Sequence, residues 1–142
     1  MRVCSSVVLV VCAAFGASLG VAVEWTPSDP PGGTAVALAG DGAGTLWVAT
    51  EGGGVFRSSD GGALWTAVNQ GLGSRAAVAL ARSAGGRLWA GTEAGPYVSD
   101  DGGDSWSGPG SGLTDPGVAA LALDPASGTP WLATVGGVFT SS

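Results

Sequence analysis

From residue 35 onward, short apolar runs alternate with clusters of Gly, Asp, Ser and Pro, and the runs recur in sets. The first set reads Ala35-Val36-Ala37-Leu38-Ala39, then Leu46-Trp47-Val48-Ala49-Thr50, then Gly54-Val55-Phe56-Arg57-Ser58. The second reads Ala77-Val78-Ala79-Leu80-Ala81, Leu88-Trp89-Ala90-Gly91-Thr92 and Pro96-Tyr97-Val98-Ser99. The third reads Ala120-Leu121-Ala122-Leu123, Pro130-Trp131-Leu132-Ala133-Thr134 and Val138-Phe139-Thr140-Ser141. Runs this short, separated by turn residues, predict strands of antiparallel sheets. A weaker fourth run follows at Trp65 and again at Trp106.

The tryptophans set the period. Trp47, Trp89 and Trp131 form one ladder; Trp25, Trp65 and Trp106 form another, and both step by 40 to 42 residues. A β-type repeat of this length predicts blades of a β-propeller. The expected fold is therefore all-β: a partial propeller of about three four-stranded antiparallel blades. The repeat divides the chain into a partial blade over 23–34, blades over 35–76 and 77–117, and a truncated blade over 118–142. Trp25 aligns with the last strand of a blade, and is also suited to be a strand that closes a ring. The 27 glycines recur at fixed offsets, so they read as turn positions needing positive φ, which Gly adopts without steric cost.

Two segments carry a more specific signature. Ser58-Ser59-Asp60-Gly61-Gly62-Ala63-Leu64-Trp65 and Ser99-Asp100-Asp101-Gly102-Gly103-Asp104-Ser105-Trp106 both fit Ser-x-Asp-x-Gly-x-x-Trp. This pattern resembles the Asp-box of bacterial neuraminidase repeats, found in sialidase-like propellers and photosystem II assembly factor-like propellers. The carboxylate can accept backbone N–H groups of a hairpin, the Gly takes the left-handed position, and the Trp packs beneath the turn. The resemblance implies that Ser58, Asp60, Gly62, Trp65, Ser99, Asp101, Gly103 and Trp106 are structural, on the face away from an active site. Leu64 and Ser105 depart from the family's usual Thr before the Trp.

At the amino terminus, the run from Val3 to Val23 has no charge. With Arg2 before it and Gly20-Val21-Ala22 near its end, it resembles a secretory signal peptide over 1–22. The alternative is an uncleaved membrane anchor over 3–23. Either way the expectation is export, periplasmic or extracellular, with a membrane association only if the leader stays attached. Cys4 and Cys12 lie in this leader, so the rest of the chain has no thiol chemistry. There is no His and no Lys in the chain, and the formal net charge is −6. Four arginines past the leader form no cationic stripe, which argues against nucleic acid. No residue set for a metal or an organic cofactor is expected.

Candidate chemistry is thin. Glu51 and Glu93 both follow Thr in the turn between the second and third strands, whereas the third copy has Val135 there. They are weak candidates for a ligand-facing site, because these turns are expected opposite the Asp-boxes; repetition at the same offset argues more for a duplicated, solvated hairpin position. Asp100, Asp101 and Asp104 lack the spacing of an EF-type calcium loop. Gly40-Asp41-Gly42-Ala43-Gly44 lacks the Lys and helix of a phosphate loop and falls at a hairpin turn. Sialidases of the resembled fold use three arginines, a Tyr–Glu pair and an aspartate drawn from the whole ring; here Tyr97 lies inside a strand. The expected role is a non-catalytic binding or assembly scaffold with a protein or carbohydrate partner, the alternative being a remnant of a glycoside hydrolase. About three blades do not close a ring of 4–8, so the sequence is expected to be a fragment of a longer propeller or to form a homo-oligomer that completes one.

Overall fold

The computed structural model describes residues 26–108, 110–113 and 115–141. The expected leader, both cysteines and Trp25 lie outside them. Ten strands follow in chain order: β1 (Ala35–Gly40), β2 (Leu46–Thr50), β3 (Gly54–Ser58), β4 (Thr66–Ala67), β5 (Ala77–Arg82), β6 (Leu88–Thr92), β7 (Gly95–Ser99), β8 (Val118–Leu123), β9 (Pro130–Thr134) and β10 (Gly137–Thr140). They form three antiparallel sheets, ordered β1-β2-β3-β4, β5-β6-β7 and β8-β9-β10. These are the three expected blades of a partial propeller.

The blades are copies in detail. The first strand of each sheet slips register at one repeat position, between Ala35 and Ala37, Ala77 and Ala79, and Val118 and Ala120. Such bulges increase local twist. The fourth strand fades along the chain. It is β4 in the first sheet, shrinks in the second to a bridge between Val98 and Ser107, and is absent from the third among the described residues.

The sheets stand face to face, with β1, β5 and β8 as neighbours. Alternation then decides what is buried. Trp47, Ala49 and Val55 share one face of the first sheet, and Leu88, Ala90 and Tyr97 share the facing side of the second. Trp47, Val55, Val68, Leu88, Ala90, Tyr97 and Trp106 close into one core cluster. On the other side of the second sheet, Trp89, Pro96 and Val98 face Leu132 of the third. Close approach is required there: a Cβ at Gly91 would lie 2.6 Å from Val118 Cγ1.

The two outermost faces are less covered. Leu38 on the first sheet is 63% exposed, and Trp131 and Val138 on the third are 47% and 71% exposed. Thr26–Thr34 form no strand; they run across the first sheet. Ser28 Oγ donates to the Gly62 carbonyl, and the Thr34 carbonyl accepts from the Glu51 N–H at 3.1 Å. The segment that follows β4 crosses the second sheet in the same way, its Ala76 carbonyl accepting from the Glu93 N–H at 3.2 Å. The partial copy expected over 23–34 therefore contributes a crossing connection within the described residues.

Candidate functional site

The hairpins after β3 and β7 have the same geometry. Ser58 Oγ donates to Asp60 Oδ1 at 2.7 Å and accepts from the Gly62 N–H at 2.8 Å. Asp60 Oδ1 also accepts from the Leu64 N–H at 2.9 Å. Ser99, Asp101, Gly103 and Ser105 repeat these bonds at 2.7, 2.8 and 2.9 Å. Both serines are buried, at 1% and 2% exposure, so their hydroxyls satisfy hairpin donors that water does not reach. Paired glycines make the turn: φ is 71° and 94° at Gly61 and Gly62, and 73° and 96° at Gly102 and Gly103. Only glycine takes two such angles in succession without strain.

Hydrogen bonding sets the acidity of these carboxyls. The Ser58 hydroxyl, then the Leu64 N–H, hold Asp60 below its ordinary value. At Asp101 the Ser105 hydroxyl, the Ser105 N–H and the Ser99 hydroxyl bring it down to about 2. A group this committed to its charged, bonded form is a poor proton donor at neutral pH.

The second hairpin also meets the preceding blade, and the first meets the segment that crosses its own sheet. Trp47 Nε1 donates to the Gly102 carbonyl at 2.8 Å, and Arg57 Nη1 reaches the same oxygen at 3.1 Å while pairing with Asp104 at 2.8 Å. Trp106 Nε1 donates to the Val68 carbonyl at 2.7 Å, and a Cβ at Gly103 would press on Val68 at 3.1 Å. In the first hairpin, Trp65 Nε1 donates to Ser28 Oγ at 3.1 Å. Trp106 is buried; Trp65, on the less covered first face, is half-buried. The second hairpin is thus a joint between blades, a role the motif alone did not indicate.

Glu51 and Glu93 lie in the β2–β3 and β6–β7 turns, at the end of the sheet opposite the hairpins. Both are exposed, and each is fixed through its backbone N–H to the residue leading into its blade. The three adjacent aspartates disperse: Asp100 pairs with Arg87, Asp101 stays in the turn, and Asp104 pairs with Arg57. Gly40–Gly44 is a hairpin turn in which Asp41 Oδ1 accepts from the Ala43 and Thr45 N–H groups at 2.8 and 3.0 Å.

Several residues escaped sequence reasoning. Asn69 accepts from the Val55 N–H at 2.7 Å and donates to the Gly53 carbonyl at 2.8 Å, tying the connection to the β2–β3 turn. Arg82 stacks over the Trp47 ring at 5.6 Å, a cation–π contact. A cavity of about 460 Å³ lies between the second and third sheets, bordered by Trp89, Pro96, Val98, Leu132 and Phe139. Beside it the buried Trp89 indole N–H has no hydrogen-bond partner among the described residues. The equivalence of Trp47 and Trp89 in the repeat was the signal that could have pointed to it.

The fold defines a stack of β-propeller blades. No family model matches the chain, and no curated protein matches it. Solved structures do. The chain is similar to the extracellular domain of the putative one-component system BT4673 from B. thetaiotaomicron, with a TM-score of 0.66 and 20% identity over 82% of this chain and 16% of that one. It is also similar to an ancestral GH74 enzyme, with a TM-score of 0.58 and 22% identity over 78% and 18% of the two chains. A third similarity is to YCF48 bound to D1 peptide, with a TM-score of 0.56 and 21% identity over 82% and 39%. The chain therefore spans between about a sixth and two-fifths of these proteins. At these identities the likeness is one of fold.

Proposed function

We propose that this chain is an exported, non-catalytic scaffold of Asp-box propeller blades that holds a protein or carbohydrate partner. The observation that carries this reading is the commitment of most charged side chains around the hairpins to structure. Asp60 and Asp101 are bound into hairpins, Arg57 and Arg87 pair with Asp104 and Asp100, and Arg82 lies over Trp47. Acid–base work on a glycoside needs two carboxyls about 5–10 Å apart across one bond. Glu51 and Glu93 sit at duplicated turn positions of separate sheets. The fold likeness spans both an ancestral GH74 enzyme and a protein described with a bound peptide, so it favours neither chemistry.

The remnant-hydrolase reading is tested directly. The exported chain is incubated with xyloglucan oligosaccharides and with a fluorogenic sialoside, beside Glu51→Gln and Glu93→Gln variants. The scaffold reading expects no turnover above buffer in any sample. Turnover that disappears in either variant would overturn it and restore Glu51 or Glu93 as a catalytic residue.

A further inference from the structure

Three Asp-Gly bonds, Asp41–Gly42, Asp60–Gly61 and Asp101–Gly102, lie in turns where the glycine has positive φ, of 77°, 71° and 73°. Asp-Gly is the pair most open to aspartate isomerisation, because no side chain shields the glycine nitrogen. That nitrogen must reach the aspartate Cγ, and the three turns differ in how freely it can. Asp60 and Asp101 accept hydroxyl bonds from Ser58 and Ser99, both buried, and reach forward to the Leu64 and Ser105 N–H groups. The Gly61 N–H donates to the Gly44 carbonyl at 3.1 Å, and the Gly102 carbonyl is gripped by Trp47 and Arg57. Asp41, between β1 and β2, has no such support. Its carboxylate accepts only from the Ala43 and Thr45 N–H groups of its own turn. The Ala43 bond closes a small ring that contains both Asp41 Cγ and the Gly42 nitrogen. Gly42, Ala43 and Gly44 are exposed, and beyond its chain neighbours nothing lies within 4 Å of a Cβ built at Gly42 or Gly44. The equivalent turns of the other sheets cannot react. Ser83 replaces Asp41 in the second, its Oγ accepting from the Arg87 N–H at 3.2 Å. In the third, Asp124 accepts from the Ala126 and Ser127 N–H groups at 2.7 and 3.0 Å. It is followed by Pro125, whose nitrogen has no proton to lose.

We propose that Asp41–Gly42 is a modification site, at which the folded chain converts aspartate to isoaspartate without an enzyme. The Gly42 nitrogen loses its proton and bonds to Asp41 Cγ. One Cγ–O bond breaks, and that oxygen leaves as water with the amide proton and one proton taken from solvent. Water then adds to the main-chain carbonyl carbon of Asp41 in the resulting succinimide ring. Its bond to the Gly42 nitrogen breaks, and the nitrogen regains a proton. The backbone now runs through Cβ, one carbon longer, and the freed α-carboxylate becomes the side chain. One water leaves and one enters, so the mass is unchanged and nothing is oxidised or reduced. The lengthened turn loses the register of its Ala43 and Thr45 bonds. Because the Gly44 carbonyl accepts from Gly61, the first hairpin loosens with it. The inference is independent of the scaffold role.

The test warms the full chain for several weeks at mildly acid pH, folded and, in parallel, unfolded in urea. Isoaspartate is located on proteolytic peptides by electron-transfer fragmentation, which separates it from aspartate at equal mass. The folded chain is expected to carry at least tenfold more isoaspartate at Asp41 than at Asp60 or Asp101. The unfolded chain should form it comparably at all three. Equal amounts at the three bonds of the folded chain overturn the proposal. So does none at Asp41 while the unfolded chain forms it there. Pro125→Gly supplies the missing N–H beside Asp124 and should create a second site there; a folded variant without isoaspartate at Asp124 refutes the role given to the turn. Should that variant fail to fold, the comparison of the three native bonds still decides. The isoaspartyl form, isolated by ion exchange, should melt several degrees below the fresh chain, and an unchanged Tm refutes the link to the first hairpin.

Discussion

Trp65 and Trp106 occupy the same place in the same motif, yet their replacement by Ala should have very different costs. Trp106 is 5% exposed, packs in the core cluster between the first two sheets, and donates to the Val68 carbonyl at 2.7 Å. Emptying such a position costs about 3–5 kcal/mol for the ring and the cavity left behind. Trp65 is only half-buried, and its one hydrogen bond, to Ser28, lies in an exposed setting. With less burial than Trp106 and room for water to enter, its loss should cost about 1–2 kcal/mol. At about 4 °C per kcal/mol for a domain of this size, Trp106→Ala should lower Tm by about 12–20 °C and Trp65→Ala by about 4–8 °C. Thermal melts followed by far-ultraviolet circular dichroism measure both shifts, and urea melts, with slopes compared to confirm that the unfolded states match, give the free energies. Equal losses would show that the motif's Trp stabilises its own turn, and that the contact between blades does not govern its worth.

Other outcomes follow from the same geometry. Ser58→Ala and Ser99→Ala should each cost about 1–3 kcal/mol in urea melts, since a buried Gly N–H and an Asp carboxyl lose a partner together; a loss under 0.5 kcal/mol would contradict the hairpin assignment. Asp41, Asp60, Asp101 and Asp124 all have folded values below their ordinary one, held down chiefly by the Ala43 N–H, the Ser58 hydroxyl, the Ser105 hydroxyl and the Ser127 N–H respectively. For such depressed groups the unfolded chain binds more protons, so their stabilisation is present above about pH 4 and is lost as pH falls toward the folded value, about 2 for Asp101. Thermal melts between pH 2 and 5 should show that decline, and Asp101→Asn should flatten it. Gly91→Ala should destabilise by about 1–3 kcal/mol through overpacking on Val118, read as a lower urea midpoint. Arg57→Met should cost about 1 kcal/mol or less, because the pair with Asp104 is partly exposed, and 1 M salt should reduce that difference.

The blade was legible in the sequence because its signals are local and repeated. Strand runs, paired turn glycines and the Ser–Asp spacing act within a few residues, and the Trp ladders give the period. What joins the blades was not legible. The bond from Trp47 to Gly102 spans 55 residues and that from Trp106 to Val68 spans 38; no local pattern encodes such contacts until the sheets are stacked. Arg57 shows the limit well: nothing in its strand's sequence names a partner, yet it grips the next hairpin through both Gly102 and Asp104. The fading fourth strand was equally hidden, since Ser107 aligns with Thr66 but makes only one bridge. Asp100, Asp101 and Asp104 cluster in sequence and part company in space, because a tight turn sends neighbouring side chains to different partners.

The central claim is that blade stacking, through indole donors aimed at the neighbouring blade, organises this chain. Exchange rates of the individual indole protons, measured by nuclear magnetic resonance on ¹⁵N-labelled protein with assignments from single Trp→Phe variants, test it most directly. Slow exchange is expected at Trp47 and Trp106, whose donors meet carbonyls across the blade contact, and fast exchange at Trp131 on the exposed outer face. Comparable rates at all three would contradict it.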